Sequence, residues 1–120
     1  MKNNSSGIKA RIKSFGFAVE GLRHLLVKEP NTRIHAVATV FVIAGGFLKG
    51  LTPAQWVAIC FCIAIVWITE VFNTCMEMLC DLYVGEQYNA TVKIIKDIAA
   101  AAVLIAAIIS VVIGIIVFTS

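Results

Sequence analysis

Along the chain the apolar positions form one narrow stripe followed by three broad blocks. Ile8, Ile12, Phe15, Val19, Leu22 and Leu26 recur at alternating intervals of four and three, while Lys9, Lys13, Glu20 and Arg23 fall elsewhere around the turn. That pattern predicts an amphipathic helix over 6–28, with Ser5 or Ser6 available to cap it. A basic amphipathic helix next to apolar spans belongs in a headgroup interface, or else against a soluble partner. Pro30 and Asn31 then punctuate the chain, as at a helix restart. Within 34–48 only His35 and Thr39 are polar. The run is short for a crossing, but Arg33 and Lys49 flank it and can snorkel, so 31–49 is the first expected span. After a tight turn at 50–53, Pro53 suits the first turn of a second membrane helix over 54–82. At about 43 Å this helix outruns the hydrocarbon layer, so its later turns should emerge into the interface. A polar loop containing Gly85 leads to a third membrane helix over 92–118, whose apolar run has Ser110 as its one clearly polar side chain. The expected fold is all-α: a surface helix and three transmembrane helices in a single membrane domain spanning 1–120.

Composition agrees with that class. With 60% apolar and 14% charged residues, a chain of 120 residues is too apolar for an ordinary soluble domain. All 7 acidic residues, and all of the 10 basic ones except Lys49, belong to the side shared by the amino terminus and the second loop. The positive-inside tendency makes that side cytoplasmic and puts the carboxyl terminus outside. The net charge of +3 is not gathered on a face that would grip phosphates, which argues against a nucleic-acid partner. Cys60, Cys62, Cys75 and Cys80 show no C-x-x-C pattern. Cys60 and Cys62 point about 200° apart on a helix, as small packing residues would. The start lacks the apolar run and cleavage site of a secretory signal.

The later turns of the second membrane helix carry the candidate chemistry. Glu70, Asn73, Glu77 and Asp81 fall within a stripe roughly 80° wide. Carboxylates at the edge of a bilayer are costly unless a partner or a function holds them there, so the stripe reads as a cation-binding or acid–base site rather than packing polarity. Carboxylate and amide oxygens suit Mg²⁺. A His/Cys cluster for zinc and an E-x-x-H pattern for a di-iron bundle are both missing from the sequence. Lys93, Lys96 and Asp97 return to the same surface, where a lysine either neutralises phosphate oxygens or anchors the helix. Glu29 and Arg33 stand four apart at similar depth, and His35 by itself reads as a packing histidine. The segment GGFLKG at 45–50 lacks the residue order of a phosphate-binding P-loop.

These residues resemble the small bacterial membrane lipid kinases, the prokaryotic diacylglycerol kinase and undecaprenol kinase family, over almost the whole chain. The resemblance rests on E-x-x-N-T-x-x-E-x-x-x-D, here Glu70, Asn73, Thr74, Glu77 and Asp81, and on the K-D-x-A-A-A-A-V-L stretch from Lys96 to Leu104. Glu29 and Arg33 match the family's E-x-x-x-R. It implies a homotrimer that transfers the γ-phosphate of MgATP to a lipid hydroxyl at the cytoplasmic interface. Under it Glu70 is the general base, and Glu29 with Glu77 holds Mg²⁺. Asn73, Asp81, Lys96 and Asp97 complete the catalytic and nucleotide site, Glu86 lies near the nucleotide, and Arg11 and Phe17 are further nucleotide-side positions on the surface helix.

The lipid itself is less sharply indicated. Arg33, Ile34 and His35 resemble the undecaprenol kinase branch, which makes undecaprenol the expected acceptor. Phe17, standing where the diacylglycerol kinase branch often has tyrosine, points the same way, whereas the opening NNSSG resembles the diacylglycerol kinase branch, so diacylglycerol is the alternative. From another class, a non-enzymatic cation channel or accessory subunit would line a pore with the same carboxylates.

Overall fold

The computed structural model describes residues 7–120, which form four α-helices: α1 Gly7–Lys28, α2 Pro30–Lys49, α3 Pro53–Val84 and α4 Ala90–Thr119. The cap expected at Ser5 or Ser6, and position 6 of the first helix, lie outside the described residues. α2, α3 and α4 are each long and apolar enough to cross a membrane. At about 1.5 Å per residue, the 32 residues of α3 and the 30 of α4 exceed a hydrocarbon thickness of ~30 Å, so their charged ends stand clear of it. The chain is a multi-pass membrane protein.

Two compact units divide at Ala36 and Val37. In the first, α1 keeps its apolar stripe exposed, with Ile8 and Phe15 each 75% accessible, as on a helix resting in headgroups. Only one residue separates α1 from α2. The hydrogen-bond ladder steps across it, from Glu29 N–H to Leu25 O at 2.9 Å and from Arg33 N–H to Glu29 O at 3.4 Å. Pro30 has no N–H to donate, and Arg33 Nη1 donates instead to Val27 O at 3.0 Å, satisfying a carbonyl in the last turn of α1.

In the second unit α3 and α4 lie antiparallel. Leu51, Ile59 and Val117 form a buried core near the α2–α3 turn, with Trp56, Ile63, Ile113 and Phe118 packed around it. The turn itself is sharply specified. Gly50 adopts φ 73°, a region that disfavours any side chain. Thr52 and Gln55 form a reciprocal capping box at 3.2 and 3.0 Å, ahead of Pro53 in the first turn of α3. A Cβ on Gly46 would lie 2.6 Å from Trp56 Cη2, so α2 approaches the indole more closely than any other residue would allow. Gln55 Nε2 donates to Ser120 Oγ at 2.8 Å, tying the start of α3 to the end of the chain. Midway along, Ser110 Oγ donates to Cys62 O at 3.3 Å. Cys62 is buried and Cys60 exposed, as their opposed directions require.

At the other end α3 runs to Val84, two residues past the expected 82, because Gly85 takes φ 60° and its N–H closes onto Asp81 O at 2.9 Å. α4 opens at Ala90 rather than 92. The Asn89 side chain caps it, accepting from Thr91 N–H at 2.9 Å and Val92 N–H at 3.0 Å.

Candidate active site

The polar stripe on α3 lies at the end of the second unit where α3 turns into α4. Glu70 and Asn73 are 4% and 7% exposed, and Thr74 is buried beside them. Glu77 is half-buried, and Asp81 is exposed. Burial therefore falls along the helix in the order that depth in a bilayer would dictate. From Glu70 to Glu77 the axial rise is about 10 Å.

Asn73 Nδ2 donates to Glu77 Oε1 at 3.2 Å, one turn of helix joining the amide to the carboxylate. The other end of the same amide, Oδ1, is buried without a hydrogen-bond partner. An orphaned buried carbonyl costs about 1–3 kcal/mol, so its presence asks for a ligand. The pairing of an amide oxygen with a carboxylate on adjacent turns supplies hard oxygen donors of the kind Mg²⁺ takes. Among the described residues, no group of three or more His, Cys, Asp and Glu side chains gathers to hold an ion. A Mg²⁺ completed by one or two carboxylates and substrate phosphates needs no such cage.

Across the loop, Lys96 Nζ donates to Asp81 Oδ1 at 2.5 Å. This ion pair brings the beginning of α4 to the end of α3 and presents a cation beside the carboxylate row. Lys93 pairs instead with Asp97 at 2.7 Å, one turn apart on an exposed face of α4. The loop between the helices carries Glu86 and Tyr88, both exposed.

The structure thus joins two sets of the residues singled out in the sequence, Asn73 with Glu77 and Asp81 with Lys96. Glu70 stands buried on the same helix, and Asp97 is engaged with Lys93. Arg11 and Phe17 are exposed on α1, and Glu29 is half-buried at its end, all within the first unit. One contact escaped the sequence reading. Trp67, one turn before Glu70, donates from its indole Nε1 to Thr39 Oγ1 on α2 at 2.9 Å. Its only signal was the isolation of Thr39 in an apolar run and the spacing of three between Trp67 and Glu70.

Comparison with known proteins identifies the chain's relatives. The sequence profile of the family described as prokaryotic diacylglycerol kinase matches residues 16–118. A diacylglycerol kinase of Synechocystis sp. is 38% identical over 101 residues, which is 84% of this chain and 58% of that protein. The chain therefore spans little more than half the length of that relative. An undecaprenol kinase of Bacillus subtilis is 32% identical over 117 residues, 98% of this chain and 94% of the relative. A diacylglycerol kinase of Escherichia coli is 30% identical over 112 residues, 93% and 91% of the two chains. With its three membrane-spanning helices and its carboxylate stripe on α3, the chain belongs to the prokaryotic diacylglycerol kinase family, a family of lipid kinases.

Proposed function

We propose that the protein transfers the γ-phosphate of MgATP to the hydroxyl of a membrane lipid, with undecaprenol as the preferred acceptor. The observation that carries this reading is the graded α3 stripe: a buried carboxylate at Glu70, then a buried amide with an orphaned oxygen at Asn73, then a half-buried carboxylate at Glu77.

A lipid alcohol arrives from the bilayer and a nucleotide from water. The deepest carboxylate is the one placed to meet the alcohol, and Glu70 accepts its proton as the oxygen attacks the γ-phosphorus. The bond from that phosphorus to the bridging oxygen breaks and ADP departs. Little covalent chemistry is asked of the protein, so its contribution is position and charge. Asn73 and Glu77 face the phosphate side, and the family resemblance adds Glu29 as the second carboxylate for Mg²⁺. When bound, Mg²⁺ neutralises charge on the phosphate oxygens. Lys96, held by Asp81, offers a further cation to the transferred group. Asp97, Glu86, Arg11 and Phe17 complete the nucleotide side.

Undecaprenol is favoured by Arg33, Ile34 and His35, which resemble the undecaprenol kinase branch, and by the near full-length match to the Bacillus subtilis undecaprenol kinase. The proposed assembly is a homotrimer with the amino terminus and the site cytoplasmic and the carboxyl terminus outside, as the one-sided distribution of charge supports. The test is transfer of labelled γ-phosphate from MgATP in mixed micelles, with undecaprenol and diacylglycerol offered side by side. Preference for undecaprenol is expected. Preference for diacylglycerol overturns the acceptor, and transfer to neither overturns the kinase.

A further inference from the structure

Trp67 stands on α3 just before Glu70 and reaches across to α2. It precedes Glu70 by three residues on α3, so its side chain leaves the helix about 60° round and ~4.5 Å deeper toward the apolar end. The indole does not hang free there. Its Nε1 donates to Thr39 Oγ1 at 2.9 Å, and the bond is partly buried. Both residues belong to the second unit, where they join α2 to α3. Farther along α3 lie Ile63, packed on the buried core, and the core residue Ile59. Nearer the loop lies buried Glu70. The hydrogen bond therefore marks the level at which packed apolar core gives way to the polar site.

A tethered indole at that level has two chemical effects. A ring bonded across two helices is held still, three residues along α3 from the buried Glu70 carboxylate. Its one N–H is already spent, so it has nothing to donate to the ester carbonyls of a passing glycerolipid. A polyprenyl alcohol is a single hydrocarbon chain with no polar group besides the terminal hydroxyl. Diacylglycerol brings two chains and two ester groups that lose hydration on entering.

Resting on the lipid kinase reading above, we propose that the Trp67–Thr39 hydrogen bond is a specificity determinant that favours single-chain alcohols over diacylglycerol. Breaking it releases the ring and widens the approach without touching the carboxylates. Trp67→Phe removes the donor and keeps an aromatic ring. Thr39→Val removes the acceptor at constant shape, and Thr39→Ser retains it.

The experiment compares kcat/KM for undecaprenol and for diacylglycerol across these variants in the same micelles, with KM for MgATP measured alongside. Trp67→Phe and Thr39→Val are each expected to shift the ratio toward diacylglycerol by about tenfold, the scale on which pocket shape discriminates. Thr39→Ser should keep the parent ratio. The Trp67→Phe/Thr39→Val double variant should shift it no further than the larger of the single changes, since both remove the Trp67–Thr39 bond. KM for MgATP should not move. A ratio that stays within about twofold of the parent in both single variants overturns the proposal. So does a parallel loss with both alcohols, which marks a merely structural contact. If the parent protein phosphorylates neither alcohol, the kinase reading itself falls and the specificity role falls with it.

Discussion

Asp81 and Lys96 meet at 2.5 Å across the loop between α3 and α4. Their side chains are 63% and 36% exposed. Exposed pairs of this kind contribute about 0–1 kcal/mol to stability. The value of the contact lies in placing an ammonium beside the carboxylate row.

Replacing either partner should therefore separate stability from activity. Asp81→Asn and Lys96→Met are expected to leave the unfolding midpoint in detergent nearly unchanged. Both should reduce kcat/KM for MgATP by at least about tenfold, because a positioned cation acts on developing phosphate charge. Thermal unfolding alongside steady-state kinetics checks the split.

Glu70→Gln preserves shape and hydrogen-bonding capacity and removes basicity. Phosphate transfer should fall by about 10²–10⁴-fold, the usual contribution of a positioned base, while nucleotide affinity is retained. Binding of a non-hydrolysable ATP analogue, measured beside turnover, reads the two effects separately. Normal turnover would remove Glu70 from the role of base.

Asn73→Leu tests whether the orphaned oxygen exists for a ligand. An apolar side chain of similar size removes a buried carbonyl that lacks a partner. Stability should be unchanged or raised by up to about 1 kcal/mol, while activity is lost. Titrating Mg²⁺ against bound nucleotide should show weakened metal dependence in the variant. A folded variant of lowered stability that binds Mg²⁺ and nucleotide normally would make Asn73 a structural residue.

Two glycines should respond in opposite directions. Gly46→Ala drives a methyl group to 2.6 Å from Trp56 Cη2 and 3.1 Å from Leu51 Cδ1. The indole rests against Phe47 at 4.9 Å between ring centroids and has little room to retreat. Overpacking of this kind costs about 1–3 kcal/mol. Gly21→Ala meets nothing within 4 Å in the middle of α1 and should stabilise that helix by about 0.5–1 kcal/mol. Unfolding in graded detergent mixtures distinguishes them.

The helices were readable because lipid leaves few options. Every backbone group must be satisfied internally, so long apolar runs can only be helices, and Pro53, Gly85 and Asn89 punctuate them by local chemistry. The two boundaries that moved by more than one residue, Val84 and Ala90, moved because a C-terminal glycine and an N-terminal asparagine were each given less reach than they have. The α3 stripe was equally legible, since spacing alone puts Glu70, Asn73, Glu77 and Asp81 on one side of a helix. Pairings between helices were not. Nothing in the spacing says that Asp81 takes Lys96 while Asp97 turns to Lys93, or that Trp67 reaches Thr39. Those choices depend on how helices distant in sequence settle against one another, and periodicity along one helix carries no record of that.

The tight α2–α3 turn acts mechanically as the root of a pair of tongs. Gly46 against Trp56, the Thr52–Gln55 cap and the Gln55–Ser120 bond fasten it, and the proposed site lies far out along the arm. Glu70 stands about 21 Å from Trp56 along α3, so a tilt of ~3° at the root displaces the carboxylate by ~1 Å. Misplacement on that scale costs about 10²-fold in rate. Changes at the end of the molecule opposite the proposed site thereby gain leverage over turnover.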